Sequence, residues 1–480
     1  MSDREYAISN WPDTKEIYEK IDKLLSSPLR PMKKEKMQEY VMHFMTKCAK
    51  SKAITEEAKN YIPGGVQHNL AFNYPFPIAI EKSEGAYMWD VDGNKYIDFL
   101  QAGGPVILGN NYKPVRDKVF ELLSNCAPAT GLFHEYELKL AKIINKHMPS
   151  IELFRMLGSG TEGDLAAIRV ARTFTGKRKV IKVGAAYHGW SDQMVYGLHM
   201  PGTGTFEAHG IPSGCSCDTQ EFFPNDIKGL RNLLEQNEKD GGTAAVLLEP
   251  LGPESGTRPV NYDFNKKVRE LCDEFGTLLI FDEVVTGFRL GLGGAQGYFG
   301  VKPDLTVFGK IVAGGYPGAG GIGGRRDIMS CVASGVEGKK RAYVGGTLSA
   351  NPLSCVAGYY TIKEIERTNA AVKAGEAGDK LCKGLQKLID KYSLPYVVYN
   401  HGSICHLETS GLLLLDARKP NFLQELKSRA VMLNAMGAAY MAEGMVTLAG
   451  SRIYTSLADT DEVIDEALVK FENVFKNIEG

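Results

Sequence analysis

Between about residue 110 and residue 360, short uninterrupted apolar runs alternate with stretches of helical spacing. Val180-Ile181-Lys182-Val183, Ala244-Ala245-Val246-Leu247-Leu248, Leu278-Leu279-Ile280-Phe281 and Leu305-Thr306-Val307-Phe308 place apolar residues side by side, as strands covered on both faces do. Between them, Glu162 to Phe174 sets Leu165, Ile168, Ala171 and Arg172 along one helical side, and Phe264 to Phe275 reads as a second helix. Strand and helix in alternation predict an α/β domain with a mostly parallel sheet over residues 111–360.

The flanks have other rhythms. Residues 1–60 are polar, with Ile17, Tyr18, Ile21, Leu24 and Leu25, then Met37, Tyr40, Val41, Phe44 and Met45, near helical spacing. They predict an N-terminal helical segment lying on a larger body or on a partner subunit. In residues 61–110, Ile78–Lys82, Ala86–Asp90 and Tyr96–Phe99 read as short strands, with Asp92-Gly93-Asn94 as turn chemistry. This is the expected N-terminal part of a small domain. Residues 361–480 complete it as a smaller α+β region: a long helix, strands near Tyr396–Tyr399 and Ile404–Glu408, then further helices.

Composition narrows the class. The 480 residues are 44% hydrophobic and 24% charged, which is ordinary for a soluble globular chain with a sizeable core. A net charge of −1 gives no electrostatic reason to expect nucleic acid or an anionic membrane as partner. No apolar stretch approaches the roughly 18–20 residues of a membrane span, and the charged start lacks the apolar core of a secretory signal. Nine scattered cysteines suggest free thiols in a reducing compartment, with the cytoplasm as the expected location. Cys215 and Cys217 form a lone C-x-C without a second pair, so no metal is expected.

Three of the apolar runs end in chemistry: Glu249, Asp282 and Lys310. In an open α/β sheet these ends share one edge, where ligands gather, although strand ends are also simply where polar residues begin. Gly158-Ser159-Gly160-Thr161-Glu162 opens the first helix, and small residues there expose backbone N–H groups suited to a phosphate; an ordinary N-cap reads the same way. Gly318-Ala319-Gly320-Gly321-Ile322-Gly323 fits the dinucleotide pattern G-x-G-x-x-G. Pro317 precedes it, however, and Asp327 comes too soon for the ribose-binding acid. A nicotinamide oxidoreductase is therefore a remote alternative, and these glycines are expected to let backbone pass close to a cofactor or partner.

Several ordered motifs then resemble the fold-type I, class III pyridoxal 5′-phosphate (PLP) enzymes over roughly residues 55 to 475. They are Ser159-Gly160-Thr161-Glu162, Tyr187-His188-Gly189, Phe281-Asp282-Glu283-Val284-Val285-Thr286-Gly287-Phe288-Arg289, Lys310, and Gly346-Thr347-Leu348-Ser349-Ala350-Asn351-Pro352. Pro63-Gly64-Gly65-Val66, Asp90-Val91-Asp92-Gly93-Asn94 and Gly293–Tyr298 resemble the glutamate-1-semialdehyde aminomutase branch.

The resemblance implies a PLP-dependent transferase fold and a set of roles. Lys310 forms the Schiff base and shuttles a proton, and Asp282 pairs with the pyridine nitrogen. Tyr187 stacks on the ring and Val284 packs on its other face. Ser159, Gly160 and Thr161 hold the phosphate. His188 orients neighbours, and a structural histidine is the competing reading. Glu249 lines the site. Thr347 reaches the phosphate of a neighbouring subunit, implying a homodimer with shared sites. The expected reaction transfers an amino group between an amino acid or amine and a keto or aldehyde acceptor. An aminomutase, racemase, epimerase or lyase is the alternative, and a non-catalytic homologue a remote one. The chain departs from the mutase pattern at Gln67–Phe72, which lacks an arginine, at Ala102-Gly103, and at Glu254, where an asparagine is expected. His68, Arg452 and Glu254 are therefore the candidates for substrate recognition.

Overall fold

A computed structural model describes residues 4–334, 340–448 and 450–480. The chain divides into two compact units. The first contains Lys113–Ala371, residues 4–6 and Asp416–Lys419; the second contains Ala7–Tyr112, Val372–Leu415 and Pro420–Gly480.

In the first unit, β1 (Leu153–Leu157), β2 (Lys179–Val183), β3 (Thr219–Phe222), β4 (Thr243–Leu248), β5 (Leu278–Asp282), β6 (Leu305–Gly309) and β7 (Gly320–Gly324) form one sheet. Its order is β1-β7-β6-β5-β4-β2-β3. Strands β2 to β6 pair in parallel, and β7 is antiparallel to both of its neighbours. Every residue of β4, β5 and β6 is buried, which is why these segments read as continuous apolar runs.

The helix Gly160–Thr175 lies on β4, β6 and β7. Its buried residues are Gly163, Asp164, Ala166, Ala167, Ile168, Val170 and Ala171. That face is wider than the expected Leu165–Ile168–Ala171–Arg172 stripe. Small residues let the helix sink close to the sheet, while Leu165 and Arg172 line a surface cleft. Close approach explains the glycine run. A Cβ on Gly163 would stand 2.7 Å from Val307 Cγ1 and 3.0 Å from Gly321 O, and one on Gly320 would stand 2.1 Å from Ser159 O. The G-x-G-x-x-G run is thus largely the strand β7, fitted under a helix start, and it forms no strand–turn–helix of the dinucleotide kind.

The division between the units falls at Ala371, beyond the expected boundary at 360. The helix Pro352–Thr368 packs on Lys113–Leu123, Glu135–His147 and the turn after β6, all within the first unit.

The second unit holds two sheets. Ile80–Glu84, Tyr87–Asp90 and Lys95–Asp98 pair antiparallel, and Met445–Val446 adds in parallel to Lys95–Asp98. Val397–His401, Ile404–Glu408 and Arg452–Tyr454 form an antiparallel trio. Leu381, Leu385, Met436, Tyr440, Ile464 and Phe471 belong to its core. The helix Thr14–Ser26, N-capped by Asp13, buries Ile17, Ile21 and Leu24 against Val397, Tyr399 and Leu414. The helix Lys34–Lys47 packs on Phe422–Ala442. Among the described residues, no helix is long and apolar enough to cross a membrane.

Candidate active site

The ends of three adjacent parallel strands carry the chemistry. Glu249 follows β4, Asp282 closes β5 and Lys310 follows β6. Hydrogen-bonded pairing of β4 with β5 and β5 with β6 sets them at one sheet edge.

Lys310 adopts φ +49°, in the left-handed region, and opens a short 3-10 turn closed by Gly314. Ala185, His199, Glu254 and Ser255 are also left-handed. Each such non-glycine conformation costs on the order of 1–3 kcal/mol, and such strain persists where surrounding structure over-determines it. Its recurrence in the loops after β2, β4 and β6 fits an edge where side chains are held in fixed positions.

Asp282 is buried, and its two oxygens are separately engaged. Oδ1 accepts from the Val284 N–H at 2.9 Å, and Oδ2 lies 2.7 Å from His188 Nδ1. His188 is fully buried, and burial lowers its basicity even against the pull of Asp282. Its Nε2 has no hydrogen-bond partner among the described residues. Asp164, on the helix above, brings a second buried carboxyl to within 4.0 Å of His188 Nδ1. Burial, then Asp282 and Glu249, raise Asp164 well above the usual carboxyl range. Donor atoms of Asp164, His188 and Asp282 lie within 4.8 Å of one another. The direct 2.7 Å contact between two of them is a hydrogen bond and leaves no room for an ion between those atoms.

Glu249 is an anchor as much as a lining group. Its Oε1 accepts from the N–H groups of Tyr187 at 3.0 Å and Glu254 at 2.6 Å, and its Oε2 accepts from Ser255 N and, at 3.1 Å, Ser255 Oγ. It therefore ties the loop after β2 to the loop after β4. Burial, with Asp282 and Glu254 nearby, raises it to about 8. Lys182 does similar work from below: its buried Nζ donates to the carbonyls of Ala186 at 2.8 Å, Met194 at 3.1 Å and Tyr196 at 2.9 Å. Burial lowers it to about 8.

The helix start forms a cup. Ser159 caps it, accepting from Glu162 N at 3.2 Å, while Glu162 Oε2 accepts from Gly158 N at 2.7 Å. The leading N–H groups at Gly160 and Thr161 have no carbonyl ahead of them in the helix and suit an anion. Val284 nests between this cup and the lysine strand: a Cβ on Gly160 would meet Val284 Cγ2 at 2.9 Å, and one on Gly309 would meet Cγ1 at 2.7 Å. Gly189, at φ +78°, lies over Thr161, where a Cβ would fall 2.3 Å from Oγ1. The Tyr187-His188-Gly189 loop is thereby seated on the cup. Tyr187 is half-exposed, with its ring stacked near His199 at 6.4 Å.

Beside Tyr187, His199 is clamped by Glu207 at 2.6 Å and Glu254 at 3.1 Å. Burial alone would lower it, but the two carboxylates prevail and raise it to about 10. Thr347 is exposed, in the segment where Gly346 approaches Glu162. His68 and Arg452 belong to the second unit. His68 is exposed and its Nδ1 accepts from Leu70 N; Arg452 is buried on a strand opposite His406.

Asp164, Lys182, His199 and Glu207 escaped the reading of the sequence. A lysine inside an apolar strand and an acid inside a small-residue helix were the available signals for the first two. Cys215 and Cys217 are exposed and free.

An anion cup, a buried carboxylate–imidazole pair at an adjoining strand end, and an amine one strand further on match the phosphate, ring nitrogen and aldehyde of PLP. The site thus fits this cofactor on its own geometry.

Comparison with known proteins agrees. The family profile Aminotransferase class-III matches residues 70–475. Glutamate-1-semialdehyde 2,1-aminomutase from Acetivibrio thermocellus is 38% identical over 437 residues, covering 89% of this chain and 98% of that protein. An omega-transaminase from Sphaerobacter thermophilus superposes with a TM-score of 0.80 at 27% identity, covering 90% and 99%. A beta-phenylalanine aminotransferase from Variovorax paradoxus superposes with a TM-score of 0.78 at 27% identity, covering 96% and 99%. The chain belongs to the class-III aminotransferase family, the PLP-dependent aminotransferases and aminomutases of fold type I.

Proposed function

We propose that this enzyme is a PLP-dependent aminotransferase that moves an amino group from an amino acid or amine to a keto or aldehyde acceptor, with Lys310 carrying the cofactor. The observation that carries this reading is Val284, nested between the Gly160 cup and the Gly309–Lys310 strand end, with Asp282 two residues before it.

Bound PLP supplies the electron withdrawal that loosens bonds at the amino-bearing carbon. Asp282 holds a proton on the ring nitrogen, and His188 keeps its carboxylate turned toward that task. Gly160 and Thr161 hold the phosphate, with Ser159 fixing the helix start. Val284 and Tyr187 confine the two ring faces. With PLP bound, the Lys310 amine would be the acid–base group that takes a proton from the substrate's amino-bearing carbon and delivers it to the aldehyde-derived carbon of the cofactor. Glu249 holds the Tyr187 loop in register. Thr347 reaches the phosphate of a second subunit, so the working form is a homodimer; exposed Leu132, Phe133, Tyr343 and Leu348 on the first unit supply apolar surface for it. Its nine free thiols suit the cytoplasm. For the substrate we infer Glu254 as a contact beside Tyr187, with His68 and Arg452 as further candidates.

An aminomutase is the second reading, favoured by the Acetivibrio thermocellus relative and opposed by the missing arginine at Gln67–Phe72. Absorbance of the protein with PLP, before and after amino donors, separates the two. A visible band that Lys310→Ala abolishes and that donors bleach to a stable pyridoxamine-type band supports transfer. A band that donors perturb reversibly, without lasting pyridoxamine, supports the mutase. No band with wild-type protein overturns both.

A further inference from the structure

Besides Glu283, which is held by Thr286, Ala295 and Gln296, three buried carboxyls stand at this edge, and their hydrogen bonds are unequal. Asp282 receives Val284 N–H and faces His188, while Glu249 receives three backbone N–H groups and a hydroxyl. Asp164 is 1% exposed, and its Oδ1 has no hydrogen-bond partner among the described residues. Lys182 is the buried cation nearby. An ammonium has three hydrogens, and all three are committed to the carbonyls of Ala186, Met194 and Tyr196. Glu221, which also faces Lys182 and binds Gly202 N, lies further out. Two carboxyls whose oxygens approach within 4.8 Å in a buried pocket do not both ionise without a donor between them. His188 is the shared neighbour, at 2.7 Å from Asp282 and 4.0 Å from Asp164. The charge therefore settles where the donors are, on Asp282, and the proton settles on Asp164.

We propose that Asp164 is a positioning residue: a neutral, proton-carrying carboxyl that abuts His188 and leaves Asp282 as the single negative charge facing the cofactor's ring nitrogen. The part played toward the cofactor rests on the PLP reading; the proton on Asp164 does not. A neutral acid here keeps His188 Nδ1 directed at Asp282, since an ionised Asp164 would compete for that N–H. It also spares the pocket a second buried negative charge.

The test uses the full chain with and without PLP. Infrared spectra of cofactor-free protein, with 13C-labelled aspartate, should show a protonated aspartic-acid carbonyl stretch that disappears in Asp164→Asn. Asp164→Thr serves the same subtraction should the first variant fold poorly. In PLP-loaded protein, Asp164→Asn, neutral and of the same shape, should hold PLP within about threefold of wild type and keep the 15N shift of the ring nitrogen. Asp164→Ala, which frees His188, should bind PLP about tenfold more weakly, a change of about 1.4 kcal/mol, and move that shift. A wild-type spectrum without the Asp164 carbonyl band overturns the proposal, as does an unchanged ring-nitrogen shift in Asp164→Ala. Loss of PLP binding by wild-type protein would instead overturn the cofactor reading and leave the infrared result standing.

Discussion

His188 Nδ1 lies 2.7 Å from Asp282 Oδ2, with both side chains buried. The imidazole is the side-chain donor to a carboxylate whose other oxygen takes a backbone N–H. Replacing it with a ring of similar volume that cannot donate leaves Asp282 short of a partner. A lost hydrogen bond to a buried charged group costs about 1–3 kcal/mol. His188→Phe is expected to weaken PLP binding about tenfold or more, read by absorbance titration, while far-ultraviolet circular dichroism stays unchanged.

Lys182 puts one buried positive charge beneath several carboxyls and closes three carbonyls of the loop that presents Tyr187 and His188. Lys182→Met keeps the length and removes the charge. Breaking such a buried set destabilises by about 3–5 kcal/mol. Chemical denaturation should show a loss of that size, with PLP affinity falling as the loop comes free.

Gly320 is required by contact, its backbone being unexceptional. A Cβ there would sit 2.1 Å from Ser159 O, in the N-cap of the cup helix. Overpacking of this kind costs about 1–3 kcal/mol or more, and here the displaced atoms are backbone. Gly320→Ala should lower both the melting temperature and PLP affinity. Gly214→Ala, with nothing within 4 Å, should change neither.

His199 is raised from 6.5 to about 10 by Glu207 and Glu254, which outweigh its burial. In the unfolded chain it loses its proton near pH 6.5. The clamp's contribution is thus full below about pH 6.5, declines as pH climbs toward 10, and is gone above that. After discounting for partial exposure it is on the order of 2 kcal/mol. The stability difference between wild type and His199→Gln, followed by denaturation across pH 6 to 10.5, should shrink steadily with rising pH; a difference independent of pH would show that the clamp is uncharged.

Glu249, also buried at the site, takes four hydrogen bonds on its two oxygens. Glu249→Gln turns an NH2 toward N–H groups, and an unsatisfied buried donor costs about 1–3 kcal/mol. Thermal unfolding should report that loss, and PLP affinity, read by absorbance titration, should fall as the loop loosens.

Local pattern alone determined the strands that end at Glu249, Asp282 and Lys310, because strands buried on both faces must be apolar until they emerge. It also determined the helix start at Ser159–Thr161, where cap chemistry and small residues coincide. Tertiary structure alone decided which distant groups meet. Asp164 reads as a stray polar residue in a helix until that helix is laid on the sheet above His188 and Asp282. Lys182 reads as a lone charge inside an apolar strand until its three hydrogens find three carbonyls. The glycines of β7 mimic a nucleotide fingerprint, and only the 2.1 Å approach of Ser159 O shows what they accommodate. Periodicity records whether a position faces water or protein. The identity of the neighbour is a property of how elements pack, and that is set by contacts between residues far apart in the chain.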